Sequence, residues 1–280
     1  MEKIENKKFS GERALFDTHD VEIDNCTFFD GESPLKESSN LLITNSSFEW
    51  KYPLWYGKNI VVKDSKITET GRAGIWYSDH VTFSNTPIKG PKNFRKCDDL
   101  EITNCDFEDA QETLWKCSNV RLTNSKIKGN YVFMGSDNLT VENLVLEGDY
   151  GFDTCKNVVI RNSTLHTKDA FWNCENVIVY NSTIVGEYLA WNTKNIRFVN
   201  CHIESLQGLC YVKNLVLENC TMANTTLSFE YSEDVNAEVN SVIDSVKNLA
   251  SGRLVCNGID KLIMDKEQID PTKSIIVVRK

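Results

Sequence analysis

The 280-residue sequence contains no apolar run that approaches the roughly 18 residues needed to cross a membrane, so we expect no membrane-spanning helix. Its first residues, MEKIENKKFSGERALF, lack the apolar stretch and the small-residue cleavage site of an export signal. We therefore expect a cytoplasmic protein without a membrane partner.

The sequence also has a deficit of positive charge and few of the residues that build metal or cofactor sites. Lys and Arg number 31 against 40 Asp and Glu, and the net charge of −9 disfavours a nucleic-acid partner, because such binding depends on neutralising phosphates. The four histidines are scattered without zinc-ligand spacing, and no phosphate-binding loop, nucleophile elbow or dinucleotide motif is found. We therefore predict no metal, no cofactor and no nucleic-acid partner.

One short phrase is repeated eleven times between His19 and Ser232, at intervals of 19 to 21 residues. It reads polar, apolar, any, apolar, any, Asn, and this alternation predicts a short strand with one buried face. The closing residue is Asp64 in one copy and Asn in the ten others, at positions 25, 45, 85, 104, 124, 143, 162, 181, 200 and 219. Asn tolerates the left-handed backbone of a bend and can hydrogen-bond to its equivalent one coil away.

Two further apolar columns accompany the phrase, so each coil is expected to hold three short strand segments. Stacking such coils about 4.8 Å apart builds parallel sheets around an apolar interior. The sequence thus predicts an all-β fold, a right-handed parallel β-helix of about eleven to twelve coils that forms one domain over residues 1–280. Residues 1–18 are expected to form a partial coil, and residues 233–280 are expected to form capping strands that include Leu254–Met264 and Ile275–Val278.

The ten cysteines mostly share columns with Ser and Thr at the bends. Cys26 and Cys105, for example, follow the closing Asn, where other coils have Ser46 or Ser65. This substitution pattern is typical of a small packed side chain, and we expect reduced thiols rather than a disulfide framework.

Five of the six tryptophans occupy one column, directly after the buried apolar residue that lies five residues before each phrase. Adjacent strand residues face opposite sides, so we expect this column to point outward. A row of exposed rings could be a platform for an extended carbohydrate, an interface with a protein partner or a second copy of the chain, or a surface covered by neighbouring loops. The column contains Trp55, Trp76, Trp115, Trp172 and Trp191.

Charged residues near this column are candidates for catalysis or ligand binding. Asp153 interrupts the column beside Trp172, which could raise the pKa of its carboxyl by desolvation. Asp169 and Glu187 lie one and two coils further on, so these three acids are the candidate catalytic residues. On the N-terminal side, the candidate ligand-binding cations are Arg72, Arg95 and Lys116.

The phrase and its coils resemble the pectin-lyase-like right-handed β-helix superfamily. More closely, the chain resembles an uncharacterised bacterial family with that fold, described only as a domain of unknown function. The resemblance spans essentially the whole chain and implies the fold but no established reaction. Polysaccharide lyases and glycoside hydrolases are common in the superfamily, so these are the classes expected if the protein is an enzyme. The stretches that carry the resemblance are Glu12–Leu15, Pro53–Trp55, Arg72–Tyr77, Lys168–Trp172, Gly186–Trp191 and Asp244–Gly252.

Overall fold

A computed structural model describes residues 2–279 and shows the predicted all-β parallel solenoid. It contains about 15 coils spaced ~19 residues apart, whereas the sequence predicted eleven to twelve. Within residues 2–279 no α-helix occurs, and one 3-10 helix, η1, covers Pro271–Lys273. None of these residues forms a helix long and apolar enough to span a membrane. The chain divides into two compact units, Met1–Leu144 and Val145–Lys280.

The first unit is built from parallel strands, and the boundary between the units falls inside the last of them. Its strands are β1 (Glu2–Glu5), β2 (Lys8–Phe9), β3 (His19–Asp24), β4 (Thr27–Phe28), β5 (Ser39–Thr44), β6 (Ser47–Phe48), β7 (Lys58–Lys63), β8 (Lys66–Ile67), β9 (Asp79–Ser84), β10 (Asp98–Thr103), β11 (Asp106–Phe107), β12 (Ser118–Lys128) and β13 (Asp137–Glu147).

The second unit continues with the same kind of strand. Its strands are β14 (Lys156–Arg161), β15 (Thr164–His166), β16 (Glu175–Tyr180), β17 (Thr183–Glu187), β18 (Lys194–Val199), β19 (His202–Leu206), β20 (Lys213–Ala223), β21 (Glu233–Val239), β22 (Val242–Lys247), β23 (Gly252–Cys256), β24 (Gly258–Ile263) and β25 (Ser274–Val278).

Equivalent phrase residues pair in register from coil to coil in each unit. In the first unit Leu41 pairs with Ile60, and Ile60 pairs with Val81. In the second unit Val177 pairs with Ile196, and Ile196 pairs with Leu215. All of these side chains are buried, because the apolar positions of the alternating phrase face the interior.

The predicted coil count was too low because the strand ladder extends past the recognisable phrases. In the first unit β1 pairs with β3, in the segment predicted as a partial coil. In the second unit β21 pairs with β20, β23 pairs with β21 and β25 pairs with β23, all in parallel. After β21 and β23 the Asn comes one residue later than in the phrase, at Asn240 and Asn257, and Arg279 follows β25. The phrase is therefore not recognisable here, although the parallel pairing of the extended backbone continues. The predicted strand Leu254–Met264 is divided at Asn257 into β23 and β24.

The third side of each coil, which carries the Trp column, is not the regular strand that was predicted. It forms isolated bridges instead, such as those of Arg95 with Trp76 and Trp115. The residues that flank this third side have left-handed backbones, for example Tyr52 with φ 61° and Tyr56 with φ 57°. A left-handed residue bends the chain, and these two lie only four residues apart, so this side is a sequence of tight corners.

The interior is closely filled, and the corners are joined by side-chain amides. Phe152 and Phe171 stack in the second unit with ring centroids 5.2 Å apart. The side-chain amide of Asn219 donates to the side-chain oxygen of Asn200 at 2.8 Å, and many other Asn pairs one coil apart do the same. All ten cysteines are free and buried, and several thiols donate to backbone carbonyls, as Cys117 Sγ does to Phe94 O at 3.3 Å.

Candidate functional site

The Trp column and the tyrosines beside it lie on one side of each unit, where each coil has four wall positions. These positions are the third and second residues before the buried apolar residue and the first and second residues after it. In the first unit most charged wall residues are cations, and we call this surface the basic wall. In the second unit most are acids, and we call this surface the acidic wall. The basic wall comprises the wall positions of segments 51–56, 72–77, 91–96 and 111–116, and the acidic wall comprises those of segments 149–154, 168–173, 187–192, 206–211 and 226–231.

The rings of the basic wall stack on one another along the coils. Trp55 and Trp76 lie face to face, with ring centroids 4.9 Å apart and planes inclined by 8°. In the adjacent column Tyr56 and Tyr77 stack at 5.0 Å, also with an 8° inclination. Tyr52 packs on Trp55 at 4.7 Å. The faces of these rings are therefore largely covered by neighbouring rings, and the solvent meets mainly ring edges.

Each indole of the Trp column donates its Nε1–H to a backbone carbonyl of the following coil. Trp55 donates to Ala73 at 2.6 Å, and Trp76 donates to Lys92 at 2.7 Å. The accepting carbonyl always belongs to the residue that lies two positions before the next buried apolar residue, and the backbone of that residue is left-handed. The corresponding acceptors of Trp115, Trp172 and Trp191 are Tyr131, Tyr188 and Gln207. All five indoles are half-buried, so they stabilise the corners as well as forming an outer surface.

Arg95 occupies a position of this column and continues the stack. Its guanidinium carbon lies 5.0 Å from the ring centre of Trp76 and 4.4 Å from that of Trp115. Its Nε–H donates to the backbone carbonyl of Glu112 at 3.3 Å, as an indole would. The Glu112 carboxylate forms ion pairs with Arg95 and Lys92. Partial burial opposes ionisation of Glu112, but the hydrogen bonds from these two cations hold its pKa below the usual range.

Several exposed cations of the basic wall lack a carboxylate partner. Among residues 2–279, no acid lies within ion-pairing distance of Arg72, Lys96 or Lys116. The Lys96 ammonium lies 5.3 Å from the ring centre of Tyr77, which is 39% exposed, while Tyr56 is 48% exposed. The first unit thus brings together on one surface the predicted residues Trp55, Arg72, Trp76, Arg95, Trp115 and Lys116.

The aromatic stack of the acidic wall is interrupted. Trp172 and Trp191 stack with ring centroids 5.9 Å apart and planes inclined by 13°. Among the described residues, only the ring of Trp191 stacks on Trp172. The ring of Tyr150 lies nearly perpendicular to that of Trp172. In the preceding coil the column position holds Asp153, so Trp172 has a carboxyl where the basic wall continues with a ring or a guanidinium.

Asp153 is half-buried in this break. Its Oδ1 atom is buried and has no hydrogen-bond partner, and the carboxyl accepts a hydrogen bond from the side chain of Asn173. Burial raises the pKa of Asp153, and the hydrogen bond from Asn173 opposes this rise. A raised pKa is the shift expected from the sequence, because Asp153 precedes Trp172 in the column and a neighbouring indole removes water from the carboxyl.

A second carboxyl with a raised pKa lies in the next coil. Burial raises the pKa of Asp169, the nearby carboxylates of Asp149 and Glu187 raise it further, and Lys168 opposes them. Glu187 forms an ion pair with Lys168 at 3.1 Å. Gly186 allows the coils to approach here, since a Cβ at this residue would lie 1.9 Å from a backbone oxygen of the preceding coil. The acidic wall thus brings together the predicted residues Asp153, Asp169, Trp172, Glu187 and Trp191.

Sequence reasoning missed Asp149, Asn173 and Glu112 as members of these surfaces. It considered the position directly after the buried apolar residue together with a few nearby charges, and it passed over these three residues, which lie three before, two after and two before the buried residue. Counting charged and amide side chains in all four wall columns would have identified them. Chemically, a carboxyl with a raised pKa can hold a proton to higher pH than a free Asp and donate it to a ligand. Throughout residues 2–279, no group of three or more His, Cys, Asp or Glu side chains is placed to hold a metal ion.

Several solved structures are similar to this chain. The surface adhesin PfbA of Streptococcus pneumoniae has a TM-score of 0.51 and 10% identity, over 85% of this chain and 84% of that one. The A-module of the mannuronan C-5 epimerase AlgE4 of Azotobacter vinelandii has a TM-score of 0.38 and 8% identity, over 99% and 89%. The catalytic domain of a GH87 alpha-1,3-glucanase has a TM-score of 0.31 and 11% identity, over 99% and 63%.

At such low identities the likeness to PfbA shows the parallel β-helix fold alone. No curated protein matches the chain. A family model described as "Protein of unknown function (DUF3737)" matches residues 2–277, and the chain therefore belongs to that family.

Proposed function

We propose that the protein binds an extended carbohydrate on the acidic wall. The observation that carries this proposal is the break in the aromatic stack, where Trp172 stacks on Trp191 and the same column position of the preceding coil holds Asp153. The proposal is narrower than the sequence-based hypothesis, which included all five tryptophans of the column.

A sugar ring requires two kinds of contact at once. Its C–H groups pack on a flat aromatic surface, and its hydroxyls hydrogen-bond to polar groups at the rim. Trp172 and Trp191 supply the aromatic surface, with Tyr188 at a right angle to Trp191 and 5.3 Å away. Their Nε1–H groups are already bonded to backbone carbonyls, so the sugar hydroxyls would need other partners.

The acids around these rings are suitable hydroxyl partners. Glu187 is held by Lys168, which keeps its carboxylate near the wall. A carboxylate accepts hydrogen bonds from sugar hydroxyls, and a protonated carboxyl can also donate one. If the bound carbohydrate is also processed, Asp153 and Asp169 are the candidate acids, because burial raises the pKa of both carboxyls.

Calorimetry or a glycan array with neutral and charged oligosaccharides tests this proposal. Trp172→Ala should weaken the binding of any oligosaccharide found by about tenfold, or roughly 1.4 kcal/mol, because a stacking surface is lost. Trp76→Ala is the matched control, since Trp76 also stacks on a neighbouring indole and donates to a backbone carbonyl but lies on the basic wall. Failure of every oligosaccharide to bind, or an equal loss in both variants, would overturn the proposal.

A further inference from the structure

We propose that the basic wall docks an acidic, extended polypeptide segment of a partner protein. The carboxylates of the segment would meet the wall cations, and its backbone and apolar side chains would lie on the ring edges. This surface contains none of the residues assigned above to carbohydrate binding, so the two proposals stand or fall separately.

Charge complementarity is the first argument. The protein has a net charge of −9, yet Glu112 is the one acid among the wall positions of the basic wall. Glu112 is already paired with Arg95 and Lys92. Lys51 is paired with Glu32 of the preceding coil, so the cations without an acidic partner among residues 2–279 are Arg72, Lys96 and Lys116. These three lie on consecutive coils, where like charges repel and an anionic partner gains their combined attraction. The cations of the wall are Lys51, Arg72, Lys92, Arg95, Lys96 and Lys116.

The closed ring stack is the second argument, and it favours a polypeptide over a sugar. Trp55 covers Trp76, and the Arg95 guanidinium lies between Trp76 and Trp115. A sugar ring therefore finds little flat aromatic surface here, unlike at Trp172. A polypeptide does not require a free ring face, because its side chains can pack against ring edges and its backbone can hydrogen-bond to hydroxyls and cations.

The exposed residues are of the type that dominates protein interfaces. Tyr56 and Tyr77 are the most exposed rings among segments 51–56, 72–77, 91–96 and 111–116, and their hydroxyls add hydrogen-bonding groups. Trp, Tyr and Arg are the residues most enriched at interface hot spots. The wall also changes little on binding, because the stacked rings and the indole hydrogen bonds already fix its side chains.

Fluorescence anisotropy with a labelled peptide of alternating Glu and Tyr tests the proposal. We expect this peptide to bind the full chain at low salt, to bind less tightly as salt is added, and to bind better than the matched Gln–Tyr peptide. The double variant Lys96→Glu, Lys116→Glu should weaken binding by at least about tenfold. Both residues are exposed and form no ion pair within residues 2–279, so the variant should fold, and a thermal melt would verify this.

The matched control is Lys194→Glu, Lys213→Glu, which makes the same charge change at exposed lysines that pair on adjacent coils of the second unit and are not wall positions. It should change binding by less than about twofold, apart from the general effect of net charge. The proposal is overturned if the acidic peptide does not bind, if the control weakens it equally, or if a sulfated oligosaccharide binds more tightly than the peptide. Trp172→Ala should leave peptide binding unchanged, which separates this test from that of carbohydrate binding.

Discussion

The basic and acidic walls use the same four positions of the same repeating coil, yet they present opposite surfaces. The basic wall carries six cations and one acid, with ring faces closed by Trp55, Trp76 and Arg95. The acidic wall has a single cation, Lys168, and a ring stack interrupted by Asp153. Its acids are Asp149, Asp153, Asp169, Glu187 and Glu230. The buried columns are apolar in both units, so the wall residues can change their chemistry without a change of fold.

Two of the residues that replace Trp in the column, Arg95 and Asp153, differ in the contacts that they keep. Arg95 retains what an indole provides, because it lies between two rings and donates an N–H to the carbonyl of the next coil. Asp153 provides no ring, and when ionised it has no hydrogen to donate. Asp153 thus lacks the stabilising contacts of the column, which is typical of a residue with a role in a site.

The largest predicted effect concerns Arg95, the cation that completes the basic stack. Arg95→Leu removes the contacts with two indoles and the hydrogen bond to a backbone carbonyl, and it should lower the free energy of unfolding by about 2 kcal/mol. Arg95→Trp restores a ring and an N–H donor, and it should recover most of that loss. Urea unfolding measures both variants, and equal destabilisation by Leu and Trp would contradict the structural role of the column.

A smaller effect, with a defined pH dependence, is predicted for Asp153. Its native pKa is raised above the ordinary value of 3.8, so between these two pH values the native state holds a proton that the unfolded chain has lost. Stability therefore falls as the pH rises through this window. Asp153→Asn should remove this fall and stabilise the protein near neutral pH by up to about 1 kcal/mol, with little effect below the ordinary Asp pKa.

Asp98 of the first unit provides a control, because its effect on the pH dependence of stability has the opposite sign. The hydrogen bond from Ser118 lowers the pKa of Asp98, and Asn119 contributes a second hydrogen bond. Its contribution to stability is therefore present above the ordinary Asp pKa and is lost as the pH falls through its native pKa. Unfolding measured against pH should show opposite slopes for the Asp153→Asn and Asp98→Asn differences, and slopes of the same sign would refute this assignment.

The smallest effect on stability is predicted for Lys168, the lone cation of the acidic wall. Lys168→Gln breaks an exposed ion pair with Glu187, and it should change the free energy of unfolding only slightly because solvent screens such pairs. It also removes the cation that lowers the pKa of Asp169, so that pKa should rise further. Carboxyl NMR titration measures this rise. Lys156→Gln, which breaks the ion pair with Glu175 at a distance of 3.7 Å, should leave Asp169 unchanged.

Much of the fold could be predicted because the period of the sequence is the period of the structure. The alternating phrase places Ile60 and Val81 in the interior and pairs them across coils, as observed. The C-terminal end was predicted less well, since β23 and β25 keep the pairing although Asn257 comes one residue late after β23 and Arg279 follows β25. The phrase is recognised by its corner residue, whereas the strand ladder depends on the backbone.

The candidate site was predicted in position but not in geometry. Column counting places Trp55 beside Trp76 and Asp153 beside Trp172. It could not show that Trp55 lies flat against Trp76, because this depends on side-chain rotamers and on the indole hydrogen bond to Ala73. From the sequence, every ring of the column was an equal candidate for sugar stacking. The structure shows that most ring faces on the basic wall are covered.

By itself, the sequence determined the repeating coil, the apolar interior and the opposite charges of the two walls, because these depend only on which residue type recurs at which position. Tertiary structure decided which ring faces are covered, where the indole N–H groups bond and which carboxyls have a raised pKa. Those properties arise from atoms about one coil apart in space but some nineteen residues apart in the chain, so they depend on packing between coils rather than on local pattern.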